Sequence, residues 1–222
     1  MLKLIIGNRA YSSWSVRGWL ACRQSGLEFE EYVVPMFDAE WEKRREGDEF
    51  APSLGKVPIL WDGETVVWDS LAIVEFLADR AGREKYWPEH EDARGMARSM
   101  AAEMHSGFAN LRRELPMNVR KSYPPKELSE PVREEIDRIM QLWAQARARF
   151  GGTGDFLFGD WCAADIMYAP VVTRFITYGV PVPNFAAVYI KAVLSHPDVS
   201  EWIDKAQDEP WVIDQYEVGK AA

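Results

Sequence analysis

The sequence predicts a mixed α/β part over residues 1–84 and an all-α part over residues 85–222. Three observations indicate this division. A strand–helix–strand pattern opens the chain, a hairpin and a capped helix occupy residues 55–80, and only helical periodicities follow residue 90.

The first elements are predicted to form a βαβ unit. Residues 2–6 are a short β-type run, after which a loop leads into a helix that Gly26 ends. Residues 29–34 have the composition of a second strand. Because a helix joins the two strands, we expect them to be parallel. Residues 38–46 are charged and are expected to form a short exposed helix or a loop.

The most specific stretch combines a proline before a strand, a hairpin turn and a helix start. These features are Val57-Pro58, Asp62-Gly63 and Asp69-Ser70. Asp-Gly is a strong signal for a two-residue hairpin turn, and an acidic residue followed by serine is typical of a helix N-terminus. We expect strands over residues 59–61 and 65–68 and a helix over residues 70–81. The resulting order, βαβαββα, resembles the thioredoxin pattern, in which this Val-Pro bond is usually cis and exposes the valine backbone.

The second part is predicted to be a bundle of helices. Apolar residues recur at helical spacing over residues 92–115, 131–150, 163–178, 185–194 and 198–208. The segment 163–178 is apolar on almost every side, so it should be the buried centre of the bundle. An extended tail is expected from residue 211.

Composition and charge exclude several classes of partner. The chain has 26 Lys and Arg against 35 Asp and Glu, a net charge of −9, so nucleic acid is not expected as a principal partner. The basic residues 43–45 are interpreted as a solvated helix face. No segment is apolar for long enough to span a membrane. Cys22 and Cys162 cannot form a disulfide framework, which predicts a cytoplasmic protein. His90, His105 and His196 lack ligand spacing, so we predict no metal.

The whole pattern closely resembles the cytosolic glutathione transferases over nearly the full chain. Three motifs carry the resemblance: Val57-Pro58 resembles the cis-proline site, residues 69–73 (Asp-Ser-Leu-Ala-Ile) resemble the glutathione-binding motif, and residues 158–165 resemble the folding signature of the helical domain. The resemblance implies an α/β thioredoxin-like domain followed by an all-α domain. It also implies glutathione as cosubstrate, a homodimer and a detoxification role, in a serine-type, bacterial-like branch.

Glutathione-binding residues follow from the chemistry of this ligand. Its γ-glutamyl end carries a carboxylate and an ammonium group, which require an anion site beside a carboxylate. Ser70, at a helix N-terminus, is predicted to bind the γ-glutamyl carboxylate. Asp69 is predicted to bind the ammonium group. Val57, presented by Pro58, would pair its backbone with the cysteinyl unit, and Lys56 would reach the glycyl carboxylate. The alternative for Asp69-Ser70 is an ordinary helix cap.

The residue that stabilises the thiolate is expected at the start of the first helix, where the family places Tyr, Ser or Cys. The candidates are Tyr11, Ser12, Ser13 and Ser15. A free thiol has a pKa of about 8.5, and a hydroxyl hydrogen bond lowers it by stabilising the thiolate. We favour Ser13, because its separation from Arg17 resembles the serine-type classes; Ser12 is the second choice and Tyr11 the third. The alternative is that a serine here only caps the helix.

The electrophile pocket is predicted where the long helix faces this loop. Its expected wall is Trp14, Met104, His105, Phe108, Leu111 and Arg112. The alternative is that this stripe is plain core, with His105 as a structural hydrogen-bonding residue. Conjugation of glutathione to a small apolar electrophile is the predicted reaction. A glutathione-dependent isomerase or dehalogenase, or a non-catalytic binding module of the same fold, are the alternatives.

Cys162 departs from the pattern of the family, whose members usually have Ser or Thr three residues before the aspartate of the buried helix. Because sulfur is a poor acceptor, we expect Asp165 to provide only half of a capping box.

Overall fold

The computed structural model describes residues 1–218, and residues 219–222 of the predicted helical part lie outside the described range. The strands are β1 (Leu2–Ile6), β2 (Phe29–Val33), β3 (Ile59–Asp62) and β4 (Thr65–Trp68). They form one sheet in the order β2-β1-β3-β4, in which β1 and β2 are parallel and the other two pairs are antiparallel. The predicted βαβ unit and hairpin are therefore confirmed.

In the described part of the chain, three helices accompany the sheet and six more form the helical remainder. The first three are α1 (Ser13–Ser25), α2 (Trp41–Arg45) and α3 (Ser70–Ala81). The others are α4 (Glu91–Ser106), α5 (Ala109–Glu114), α6 (Glu130–Phe150), α7 (Ala163–Thr177), α8 (Asn184–Leu194) and α9 (Pro197–Gln207). The predicted extended tail contains one short 3-10 turn, Asp214–Tyr216. Within residues 1–218, no helix is both long and apolar enough to cross a membrane.

The hairpin places the start of α3 beside the start of β3. Ile59 pairs with Trp68 and Asp62 with Thr65, so the chain returns to the level of Val57 when α3 begins. Gly63 takes the turn with a φ of 61°, a conformation that glycine adopts without steric cost. The Val57-Pro58 bond is cis. These features bring two separate motifs to one end of the sheet.

The prediction of a single helix over residues 92–115 is wrong, because α4 ends at Ser106 and α5 begins at Ala109. Phe108 adopts a left-handed φ of 58° at the break. A Cβ on Gly107 would lie 2.8 Å from the Glu103 carbonyl oxygen, so the tight approach requires glycine. The apolar spacing continues across the break because Met104 and Leu111 are buried in the same core.

Helix α7 is the buried centre of the helical part, as predicted. Every residue except Ile176 is buried, and the helix packs against α1, α4 and α8. Cys162 does complete a capping box, contrary to the sequence prediction. Its sulfur accepts the Asp165 N–H, while its own N–H donates to Asp165 Oδ2 at 2.9 Å. Burial raises the pKa of Asp165 to about 6.

Candidate functional site

A cleft of about 800 Å³ lies where the starts of α1, β3 and α3 face α4. Ten of the residues that the sequence singled out line it: Tyr11, Ser12, Ser13, Trp14, Lys56, Val57, Pro58, Asp69, Ser70 and His105. Among the described residues, His105 is the sole contribution of the helical part to this wall. The cleft therefore unites motifs that lie up to about ninety positions apart in the chain.

One end of the cleft offers unpaired polar groups of the kind that a peptide ligand needs. The Ser70 hydroxyl is buried and has no hydrogen-bond partner among the described residues. Within the same range, no hydrogen bond uses the backbone N–H or C=O of Val57. Buried polar groups are normally paired, so these vacant donors and acceptors indicate a ligand site.

Comparison with known proteins gives this arrangement a family context. The family model of the glutathione S-transferase N-terminal domain matches residues 11–80. Residues 11–80 are therefore similar to a glutathione S-transferase N-terminal domain. No curated protein matches the full sequence in a sequence search.

Solved structures show that the glutathione transferase fold extends over the helical part. A glutathione transferase homolog from Burkholderia GL BGR1, with bound glutathione, is 20% identical over 93% of this chain and 98% of that one, with a TM-score of 0.68. Isozyme E7 of the Drosophila melanogaster enzyme is 20% identical over 93% and 92%, with a TM-score of 0.64. The glutathione S-transferase of Xylella fastidiosa is 19% identical over 93% and 99%, with a TM-score of 0.62.

The serines at the start of α1 have different hydrogen bonds. Ser12 is the N-cap: its Oγ accepts the Ser15 N–H at 3.2 Å and donates to Ser15 Oγ at 2.8 Å. Ser15 is fully buried and accepts the Gly7 N–H at 2.9 Å. Capping therefore uses Ser12, and Ser15 anchors the preceding loop.

Ser13 keeps its hydroxyl proton free. It is the first residue of α1 and lines the cleft, and its Oγ accepts a hydrogen bond from Arg174 Nη2 at 3.4 Å. Among the described residues its O–H has no acceptor. An oxygen that accepts from a guanidinium is a better hydrogen-bond donor, so Ser13 is the candidate donor to an anion in the cleft.

Tyr11 lines the cleft, but its hydroxyl is already engaged. It donates to Glu217 Oε1 at 2.6 Å and accepts from Arg120 Nη2 at 2.7 Å. Burial and the hydrogen bond to Glu217 raise the pKa of Tyr11. This side chain therefore fastens the loop to the C-terminal segment and is not available to a thiol.

Three arginines lie behind Trp14 and Ser13. The guanidinium carbons of Arg17 and Arg112 lie 4.9 and 4.6 Å from the Trp14 ring centroid, and Arg174 contacts Ser13. In the described part of the chain, none of the three forms an ion pair with a carboxylate. Burial lowers the pKa of all three, to about 10 for Arg174. Positive charge next to the cleft that has no directly paired carboxylate favours an anion there.

Asp69 holds a strained position at the start of α3. Its φ is 77°, in the left-handed region that residues with a side chain rarely adopt. Its Oδ1 accepts the Leu71 N–H at 2.9 Å, and its Oδ2 lies 3.1 Å from His105 Nε2. Asp69 thus caps α3, as the alternative interpretation holds, and also presents a half-exposed carboxylate to the cleft.

The structure does not bring the other predicted pocket residues to the cleft. Met104, Phe108 and Leu111 are buried in the core. For these three residues the structure matches the alternative, in which the stripe is plain core. Arg112 packs on Trp14 and donates to the carbonyl oxygen of His105 at 3.2 Å. It supports the wall from behind.

Sequence reasoning missed residues that complete the rim. Met36, Phe37, Trp41 and Arg45 all line the cleft. Arg45 belongs to the basic cluster that was interpreted as a solvated face. The overlooked signal was its position four residues after the buried Trp41, which places both on one face of α2.

The described residues provide no ligand set for a metal ion. Among residues 1–218 no group of three or more His, Cys, Asp or Glu side chains is arranged to hold an ion.

Proposed function

We propose that the protein is a glutathione transferase that binds glutathione in this cleft and stabilises its thiolate with Ser13. The observation that carries the proposal is the buried Ser70 hydroxyl in the same cleft as the backbone of Val57, both without a hydrogen-bond partner among residues 1–218. A tripeptide with a carboxylate at one end and an extended backbone in the middle would satisfy both.

The γ-glutamyl end fits the start of α3. Its carboxylate would accept hydrogen bonds from the Ser70 hydroxyl and the first N–H groups of α3, aided by the helix dipole. Its ammonium would pair with the carboxylate of Asp69. These two residues are adjacent in the chain, as the two charged groups are adjacent in the ligand.

The middle and the other end of glutathione fit the opposite rim. Val57 would exchange hydrogen bonds with the cysteinyl backbone as a neighbouring strand does. The glycyl carboxylate would lie near two cations, the exposed Lys56 and Arg45 on α2. Arg45 also pairs with Glu42 at 3.0 Å, so binding would redistribute an existing ion pair.

The reacting sulfur would lie near the start of α1. There the Ser13 O–H can donate to the thiolate, while the helix N-terminus and the buried arginines add positive potential. The cysteinyl thiol loses its proton to solvent, and the thiolate then forms a carbon–sulfur bond with the electrophilic carbon. In a substitution the leaving group departs from that carbon as an anion; in an addition the electron pair of an activated double bond moves to the neighbouring carbon, which takes a proton from solvent. Ser13 acts as a hydrogen-bond donor and forms no covalent bond.

The space for the electrophile is apolar. Trp14, Phe37 and Trp68 line the cleft beside the proposed glutathione position, and Phe37 and Trp68 are exposed. This lining supports a small apolar second substrate. A cytoplasmic homodimer with a role in detoxification completes the proposal.

Titration calorimetry with glutathione tests the proposed site. We expect Ser70→Ala to weaken glutathione binding by about tenfold or more, because a hydrogen bond to a charged group is worth about 1.5–3 kcal/mol. Ser99→Ala, which removes an exposed hydroxyl from α4, is the matched control and should bind as the wild type does. The proposal fails if the wild type does not bind glutathione or if Ser70→Ala binds it equally well. Turnover trials with isomerase and dehalogenase substrates then separate transfer from those two reactions.

A further inference from the structure

The Asp69 carboxylate is shared with a residue of the helical part. His105 Nε2 lies 3.1 Å from Asp69 Oδ2, and the side chains are 26% and 45% exposed. The other oxygen, Oδ1, accepts the Leu71 N–H at 2.9 Å. Both carboxylate oxygens therefore have a protein partner, and any cation that enters the cleft must share Asp69 with the imidazole.

His105 is held firmly in this position. The Trp14 ring meets the imidazole edge-on, with the centroids 5.4 Å apart and the planes at 70°. Arg112 donates to the backbone carbonyl of His105 at 3.2 Å and lies over the same Trp14 ring. Nδ1 of His105 is buried and has no partner among the described residues. This arrangement assigns the proton of the neutral ring to Nε2, which donates to Asp69.

We propose that His105 controls the affinity of the cleft for the γ-glutamyl amine through its own charge. The neutral imidazole leaves Asp69 its full negative charge, which attracts the ammonium group of glutathione. A protonated imidazole neutralises Asp69 and repels the ammonium. The inference rests on the proposed function, in which Asp69 binds that group, and it assigns to His105 a role in substrate binding.

Charges from three elements lie around this imidazole. Asp69, at the start of α3, contacts the ring, Arg112 of α5 contacts the backbone carbonyl of His105, and Arg17 of α1 lies over the neighbouring Trp14 ring. Arg17 also interacts electrostatically with Asp69. An ammonium bound to Asp69 would add a third cation there and would repel a positively charged imidazole at His105. Because coupling between two bound species is reciprocal, glutathione should bind more weakly wherever His105 is protonated.

The experiment measures the binding of S-methylglutathione by calorimetry at about pH 5.5 and about pH 8, the range in which histidines change charge. This ligand keeps the γ-glutamyl amine and has no thiol to titrate. We expect the wild type to bind it about tenfold more weakly at the lower pH, the size of one charge–charge interaction in a partly exposed site.

Two comparisons isolate the imidazole and the amine. His105→Gln keeps an N–H donor towards Asp69 but cannot gain a proton, so its affinity should change less than about twofold across this range. His90→Gln, the same substitution on an exposed residue away from the cleft, should keep the wild-type dependence. An S-methylglutathione analogue with hydrogen in place of the amine should show a flat profile with the wild type, a test that needs no variant.

The inference is overturned if His105→Gln, with a wild-type unfolding midpoint, keeps the full pH dependence, or if the analogue without the amine shows the same dependence. It also fails if the wild type binds S-methylglutathione equally well at both pH values, and the proposed function then stands. No binding of that ligand at either pH would contradict the proposed function itself and remove the basis of this inference.

Discussion

Ser12, Ser13 and Ser15 differ in what their hydroxyl groups already do. Ser12 donates its proton to Ser15 Oγ, and Ser15 accepts from the Gly7 backbone. Of the two serines that line the cleft, Ser12 and Ser13, only Ser13 lacks an acceptor for its proton in the described part of the chain, and Arg174 donates to its oxygen. The sequence narrows the thiolate partner to this run of residues, but the choice within it depends on where the Gly7 loop and α7 lie.

Ser13→Ala should lower kcat/KM towards a model apolar electrophile, such as an activated aryl halide, by about 10- to 100-fold, because it removes a hydrogen bond to a charged sulfur. The ultraviolet absorbance of the thiolate of bound glutathione should appear at higher pH than in the wild type. Affinity for glutathione should change little, since Ser70, Asp69 and Val57 remain.

Ser12→Ala is the matched control for this change. Loss of an N-cap costs about 1 kcal/mol, so the unfolding midpoint should fall while the pH profile of the thiolate stays in place. Thiolate formation in Ser13→Ala at the wild-type pH would contradict the assignment of Ser13.

At the scale of elements, local signals define boundaries well where they agree with one another. Turn residues, caps and periodicity all agree around Asp69, and α3 spans residues 70–81 as predicted. The break between α4 and α5 was not predicted, because the apolar spacing continues through it and Gly107 is weak evidence by itself. The sequence pattern of an apolar stripe also does not show whether the stripe faces the core or a pocket. For this reason the sequence predicts Met104, Phe108 and Leu111 in a pocket wall.

The N-terminus of α9 should be sensitive to pH. His196 Nδ1 accepts the Asp198 N–H at 3.3 Å, and the ring stacks on Trp161 with centroids 4.1 Å apart. Burial lowers the pKa of His196. Its contribution to stability is therefore present above the ordinary histidine pKa of about 6.5 and is lost as the pH falls through the lower pKa of the folded state.

Urea unfolding at about pH 7 and about pH 5 checks this direction. The free energy of unfolding should fall more in the wild type than in His196→Asn, which retains an acceptor for the helix cap and does not titrate. An equal fall in both proteins would show that His196 does not carry the effect.

At the scale of the whole molecule, the helical part fixes the loop that carries the proposed thiolate site. Glu209 accepts the Arg9 backbone N–H at 2.9 Å across 200 positions of sequence, and Trp202 Nε1 donates to the Arg9 carbonyl at 3.1 Å. Arg120 links Tyr11 to the backbone of Trp211. Contacts over such distances leave no local pattern, so the sequence could place Tyr11 near the site but could not show that its hydroxyl is occupied.

The most direct test of the central claim is a crystal structure of this protein with bound glutathione. The account predicts the sulfur within about 3.5 Å of Ser13 Oγ, the γ-glutamyl carboxylate on the Ser70 hydroxyl and the cysteinyl backbone paired with Val57. A sulfur that instead contacts Ser12 or Tyr11, or a glutathione bound outside this cleft, would contradict it.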